Sequence, residues 1–171
     1  MMRARTVLLI GLVLSFTGCA EEPITGPPQL RLGHVECAEC GMIVSEDRFS
    51  AAFLIDRRGR REHLAFDDIG CMLDHEREHG SGTADGLVIL ERFVHDHDTR
   101  AWAEAGGASF LLAEPDRIQT PMGSGIAAFG SREGAESARA TVPGVVMDYN
   151  QLIVAREEWM RARYGPRSDP K

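Results

Sequence analysis

Residues 34–44 read HVECAECGMIV and gather Cys37, Cys40 and Met42 into one short loop that Gly41 lets turn tightly. Two thiols and a thioether are soft ligands, and soft sulfur selects Cu(I), whereas hard cations take oxygen. The competing account is a buried methionine beside a structural disulfide. Met122 stands in QTPMGSG, among turn formers rather than in a periodic apolar stretch, so it reads as displayed; a methionine capping a small core is the other account. Cys71, His75 and His79 recur every fourth residue of a predicted helix and form one stripe. That spacing suits metal ligands and equally a solvated face carrying histidines. His34, near the loop, and His63, in the first hairpin, are further candidates that no spacing compels, and His95 and His97 read as an exposed strand end.

The elements that must position these groups follow from periodicity and punctuation. RFSAAFLIDRRGRREHLAF reads as two strands joined by a charged turn at Gly59. DDIGCMLDHEREHG is a helix capped by Asp67 or Asp68 and stopped at Gly80, with Ile69, Met72 and Leu73 as its core face. GLVILERFVHD is a third strand. The order then returns: ASFLLAE, IAAF, a helix over SREGAESARATV capped by Ser131, and GVVMDY. This predicts an α+β fold of two tandem ββαβ modules packed together, the product of a degenerate duplication. Neither small sheet could bury its helix face well alone. The first module, with its CxxC knuckle, hairpin and helix, is treble-clef-like.

The N-terminus places the chain in a compartment. Arg3 and Arg5 precede an apolar run from Thr6 to Phe16, which ends in small residues and Cys19. Such a run targets rather than spans, because a spanning helix takes roughly 17 to 25 residues. FTGC reads as a lipobox with Cys19 lipidated; ordinary secretion with cleavage nearby is the alternative. The expected boundaries are 1–18 signal peptide, 19–33 tether, 34–97 first module with the CxxCGM loop, 98–107 linker, 108–149 second module, and 150–171 C-terminal helix and tail. Loss of Arg3 and Arg5 takes the formal charge from -7 to -9, a poor match to nucleic acid. With Cys19 acylated, Cys37, Cys40 and Cys71 remain, and in an oxidising periplasm an odd set leaves a thiol free or metal-bound.

Nothing orders a catalytic triad, and nucleophile-elbow, H-E-x-x-H, Walker and dinucleotide fingerprints are read as absent. A binding protein is therefore expected, and not an enzyme. One rival is a structural zinc clasp of three cysteines and His75, which leaves both methionines unused. The other is a redox module cycling Cys37 and Cys40.

CAECGM, FDDIGCM, Trp102, PMGSGIAAFGSREGA and the lipobox together resemble the NosL family, lipoprotein copper chaperones of nitrous-oxide reductase assembly. The likeness runs from about Cys37 to Tyr149, with the lipobox outside it. It implies a monomeric periplasmic protein, anchored to the membrane through its N-terminal lipid. Such a protein binds Cu(I) and hands it to the assembly proteins that fill the reductase's copper–sulfur centres. It also implies two ββαβ modules. Carried over by position, Cys40 and Met42 are the leading ligands, Met122 joins from the second module, and Cys37 is a ligand or a guard thiol. The resemblance leaves the role of Cys71 open, and a histidine that completes the sphere is not named by it.

Overall fold

The computed structural model describes residues 23–80 and 87–165. The signal peptide and Cys19 lie outside the described residues. Strands β1 (Ala51–Arg57) and β2 (Arg60–Phe66) form a hairpin whose turn puts both Arg58 and Gly59 at positive φ. That is the twist-matched geometry of a two-residue turn, and the Asp56 carboxylate secures it by accepting from the Gly59 N–H at 2.6 Å. Helix α1 (Ile69–His79) follows, then β3 (Leu87–His95) and β4 (Trp102–Glu104), giving a sheet in the order β2-β1-β3-β4.

The second unit has β5 (Ser109–Leu112), β6 (Ile126–Phe129), helix α2 (Arg132–Arg139) and β7 (Val145–Met147), with strand order β6-β5-β7. All pairings in both sheets are antiparallel. Both units are thus ββαβ with the first strand central. Helix α3 (Tyr149–Tyr164) closes the fold, started by a capping box of Asp148 and Gln151.

One core joins the two units. Phe53 and Phe66 of the first sheet, Ile69 and Met72 of α1, Phe110 and Ile126 of the second sheet, and Leu152 of α3 pack in a single buried cluster. Each such side chain removed from water contributes roughly 1.5–3 kcal/mol. Polar links reinforce the packing. Arg156 of α3 donates twice to Asp74 of α1, at 3.1 and 2.6 Å, and Glu76 of α1 accepts from Arg92 of β3 and from the Tyr149 hydroxyl. Burial and the Glu76 carboxylate push the Tyr149 phenol upward, so it remains a donor. Among the described residues no helix is long and apolar enough to cross a membrane.

Several elements differ from expectation. The stretch 98–107, read as a linker, contributes β4, because Trp102–Glu104 find β3 as a ready-made edge. His95 is buried rather than exposed, with its ring stacked on Trp102 at 3.6 Å. The Cys71–His75 side of α1 is buried as well, since the loop over residues 36–43 lies against it and takes the place of solvent. Part of the tether packs on the first sheet: the Gly26 carbonyl lies 2.7 Å from His63 Nε2, and the Pro28 carbonyl accepts from the Trp102 indole at 3.1 Å. His63 is therefore spent on the tether.

Candidate metal centre

The knuckle is a closed backbone turn. The Cys37 N–H donates to the Met42 carbonyl at 2.7 Å, the Gly41 N–H donates to the Cys37 carbonyl at 2.9 Å, and Glu36 bridges Ile43. Gly41 has φ +74, which a side chain would strain. The Ala38 N–H donates to the Ala65 carbonyl at 2.8 Å, which docks the turn on β2 beside the start of α1.

That docking brings the helix cysteine to the knuckle. Ligand atoms of Cys37, Cys40 and Cys71 lie within 4.8 Å of one another. Cys37 and Cys71 are buried and form the floor, and Cys40 is exposed at the rim. The Cys71 thiol, hydrogen-bonded to Cys37, outweighs burial there; with the backbone N–H groups of Cys40, Asp67 and Glu39 it brings Cys37 down to about 5. The same bond, together with burial, pushes Cys71 upward, and partial desolvation followed by the nearby Cys37 raises Cys40. Cys37 is thus the most acidic of the three thiols. Three sulfurs at this spacing suit a soft or borderline metal ion, whose binding would release the thiol protons.

Two adjacent aspartates arrange what surrounds the sulfurs. Asp67 accepts from the Ser45 N–H at 3.0 Å and holds the exit of the knuckle. Asp68 caps α1 through the Gly70 N–H at 2.7 Å, while its other oxygen accepts from the Thr120 hydroxyl at 2.6 Å and the Met122 N–H at 2.9 Å. The PMG loop of the second unit is thereby fastened to the helix end that carries Cys71. Gly70 permits this close approach, since a Cβ there would meet Ser124 Cβ at 2.7 Å. Gly41, Met42 and Ile43 share the lining of one shallow cleft with Gln119, Thr120 and Pro121. Met42 is 53% exposed and Met122, the residue after Pro121, 45% exposed, so neither thioether is used in the core.

Among the described residues, then, the fold gathers Cys37, Cys40 and Cys71 and brings the CGM and PMG loops to one cleft. It does not put His75 with the sulfurs. His75 belongs to a second group, with Glu39 and His79. The closed three-cysteine, His75 sphere of the zinc rival is therefore not assembled. His34 is exposed in the stretch before the knuckle.

No protein-family model matches this chain, and no curated protein matches it. Its fold is similar to that of the copper chaperone NosL from Shewanella denitrificans, seen in a crystal structure. The TM-score is 0.59 at 18% sequence identity, covering 73% of this chain and 94% of that one. The two share a fold. Both the α+β class and the pairing of two antiparallel sheets agree with that likeness.

Sequence reasoning missed Asp67 and Asp68 as loop clamps and Glu39 as a potential ligand. The doubled acid in FDD was a signal, because a helix needs only one cap. Residues 75–79, HEREH, also match the H-E-x-x-H pattern of two zinc-binding histidines one turn apart. This corrects the expectation that no H-E-x-x-H fingerprint is present.

Proposed function

We propose that this chain is a metallochaperone that carries Cu(I) on Cys37, Cys40 and Cys71, with the thioethers of Met42 and Met122 at the mouth of the site. The observation that carries this reading is the convergence of three sulfur ligands within 4.8 Å, beside two exposed methionines. Likeness of fold to a protein named as a copper chaperone supports it. Transfer proceeds by ligand exchange: a partner's ligand enters at the exposed Cys40 side, and the protein's sulfurs leave one at a time. Neutral thioethers bind weakly enough to be displaced first. No covalent bond of a substrate is made or broken, so the chain is not an enzyme.

The receiving partners in this reading are the assembly proteins of nitrous-oxide reductase. The chain works as a monomer in the cell envelope, facing the periplasm and anchored through lipid on Cys19. The tether sets its reach, shortened by the residues that pack on the first sheet.

Anaerobic titration of reduced, lipid-free protein with Cu(I), and separately with Zn(II), against a chromophoric competitor tests the reading. Tight binding of one Cu(I) by an already folded apo protein is the expected result. An apo protein whose circular dichroism is that of an unfolded chain, and which folds on Zn(II), would overturn it in favour of a structural clasp. Burial of Cys37 and Cys71 in the main core is the observation that favours that rival. Thiol–disulfide exchange activity by the metal-free protein would point instead to a redox module.

A further inference from the structure

A second cluster lies one helical turn beyond the sulfurs. His75 and His79 stand at i and i+4 on α1, and Glu39 reaches them from the knuckle, between Cys37 and Cys40. One ligand atom from each of the three residues lies within 4.8 Å of the other two. His75 Nδ1 is 2.9 Å from Glu39 Oε2, and the two imidazole rings are 4.6 Å apart. A buried histidine satisfied by one carboxylate is a common structural device; here a second imidazole joins the pair, within ligand distance of both. Two imidazoles and a carboxylate are the donor set of an open zinc site with three protein ligands, and here they arise from an H-E-x-x-H run plus a carboxylate supplied by the fold.

We propose that Glu39, His75 and His79 form a second metal site, separate from the three sulfurs, for a divalent ion of the Zn(II) or Cu(II) class. Nitrogen and oxygen donors favour such borderline ions over Cu(I), which the thiols favour. His75 is 9% exposed and backed by the Phe66 ring at 5.3 Å, so water is excluded from one side of the site. Glu39 and His79 are half-buried, which leaves the other side open for an ion to enter and exchange. The site is not hydrolytic. In H-E-x-x-H hydrolases the glutamate after the first histidine serves as general base. Here that residue is Glu76, whose two oxygens accept from Arg92 and from the Tyr149 hydroxyl and are committed to joining α1 to β3 and α3.

The test uses reduced full-length protein, freed of lipid and loaded with one equivalent of Cu(I) so that the cysteines are occupied. Zn(II) is titrated by calorimetry, and Co(II) serves as a spectroscopic stand-in. The expected result is one further equivalent of Zn(II). Binding should weaken by at least about tenfold in Glu39→Gln and in His79→Ala, a scale already reached when outer-shell partners are lost. The Co(II) form should show no thiolate-to-metal charge-transfer band. Both substitutions are at partly exposed positions, and unchanged circular dichroism and melting would show that they leave the fold intact. Absence of a second equivalent, equal binding by the parent and both variants, or a thiolate band from Co(II) would each overturn the proposal. If Cu(I) does not load, the same Co(II) titration of parent and His79→Ala apo protein decides this site apart from the copper reading.

Discussion

The two ββαβ units share strand order and differ in what their helices do. In the first, α1 buries six of its eleven residues, including Cys71 and His75; in the second, α2 buries Ala135 alone. Each helix is capped by a side chain from the residue before it. Ser131 accepts one N–H, from Gly134 at 3.2 Å, and does no more. Asp68 accepts three hydrogen bonds, two of them from the other unit's loop. The knuckle that covers α1 precedes β1, and the second helix has no comparable loop of cysteines over it. The ββαβ frame is therefore neutral toward function. Chemistry enters through the segment laid over the helix and through a cap with one more oxygen than capping requires.

The strongest way to break this asymmetry is Cys40→Ser, at the exposed rim. Cu(I) affinity measured against a competitor should fall by roughly a hundredfold or more, since outer-shell changes alone cost about 10–100-fold. Unchanged affinity would remove the knuckle from the site. Next comes Asp68→Ala, expected to lower stability in urea by about 3 kcal/mol, because three hydrogen bonds are lost and each contributes about 1 kcal/mol. Ser131→Ala in the second unit should cost only about 1 kcal/mol. Equal losses from the two would mean that Asp68 is an ordinary cap.

Met42→Ala and Met122→Ala sharpen the comparison between the two loops. Each should weaken Cu(I) binding by roughly tenfold, a lower bound taken from the same outer-shell scale, with the apo melting curve unchanged. A lowered melting temperature for apo Met122→Ala would instead make that residue part of the packing.

The smallest effect concerns the seam between the units, where Asp96 accepts from the Gly130 N–H at 2.7 Å and from Asp98 and Thr99 in its own turn. Burial alone would raise the Asp96 carboxyl, but these donors outweigh it and hold it below the usual aspartate range. A lowered folded value means that the contribution is present above the unfolded value, near 4, and lost as the pH falls through the folded one. Asp96→Asn should thus be less stable than the parent by under about 1 kcal/mol at roughly pH 6, since the group is partly screened by solvent, and match it near pH 2. A stability gap that does not change with pH would show that the carboxylate's charge is not what holds the seam.

Much of the fold could be read from local signals. Gly41 and Gly59 mark turns because their positive φ disfavours side chains; Asp68, Ser131 and Gly80 bound helices because unpaired N–H and C=O groups there need partners or an end. The repeated order of strands and helix made the two ββαβ units legible. Trp102–Glu104 were not legible as a strand, because three residues carry almost no periodic signal and pair only where β3 offers an edge. His95 looked exposed because its cover, Trp102, arrives from that same unforeseen strand.

The candidate site divides along the same line. Residue types and close spacing, which a few φ and ψ angles control, made the knuckle a set of soft ligands and made HEREH a pair of imidazoles one turn apart. Which donors meet was decided by the tertiary structure, because it depends on where the knuckle docks along α1. Docking on β2 put Cys71 with Cys37 and Cys40, sent Glu39 to the histidines, and let Asp68 bring the PMG loop to the mouth. Local backbone preferences specify each piece, whereas contacts between pieces distant in the chain exist only once the shared apolar core has fixed their positions.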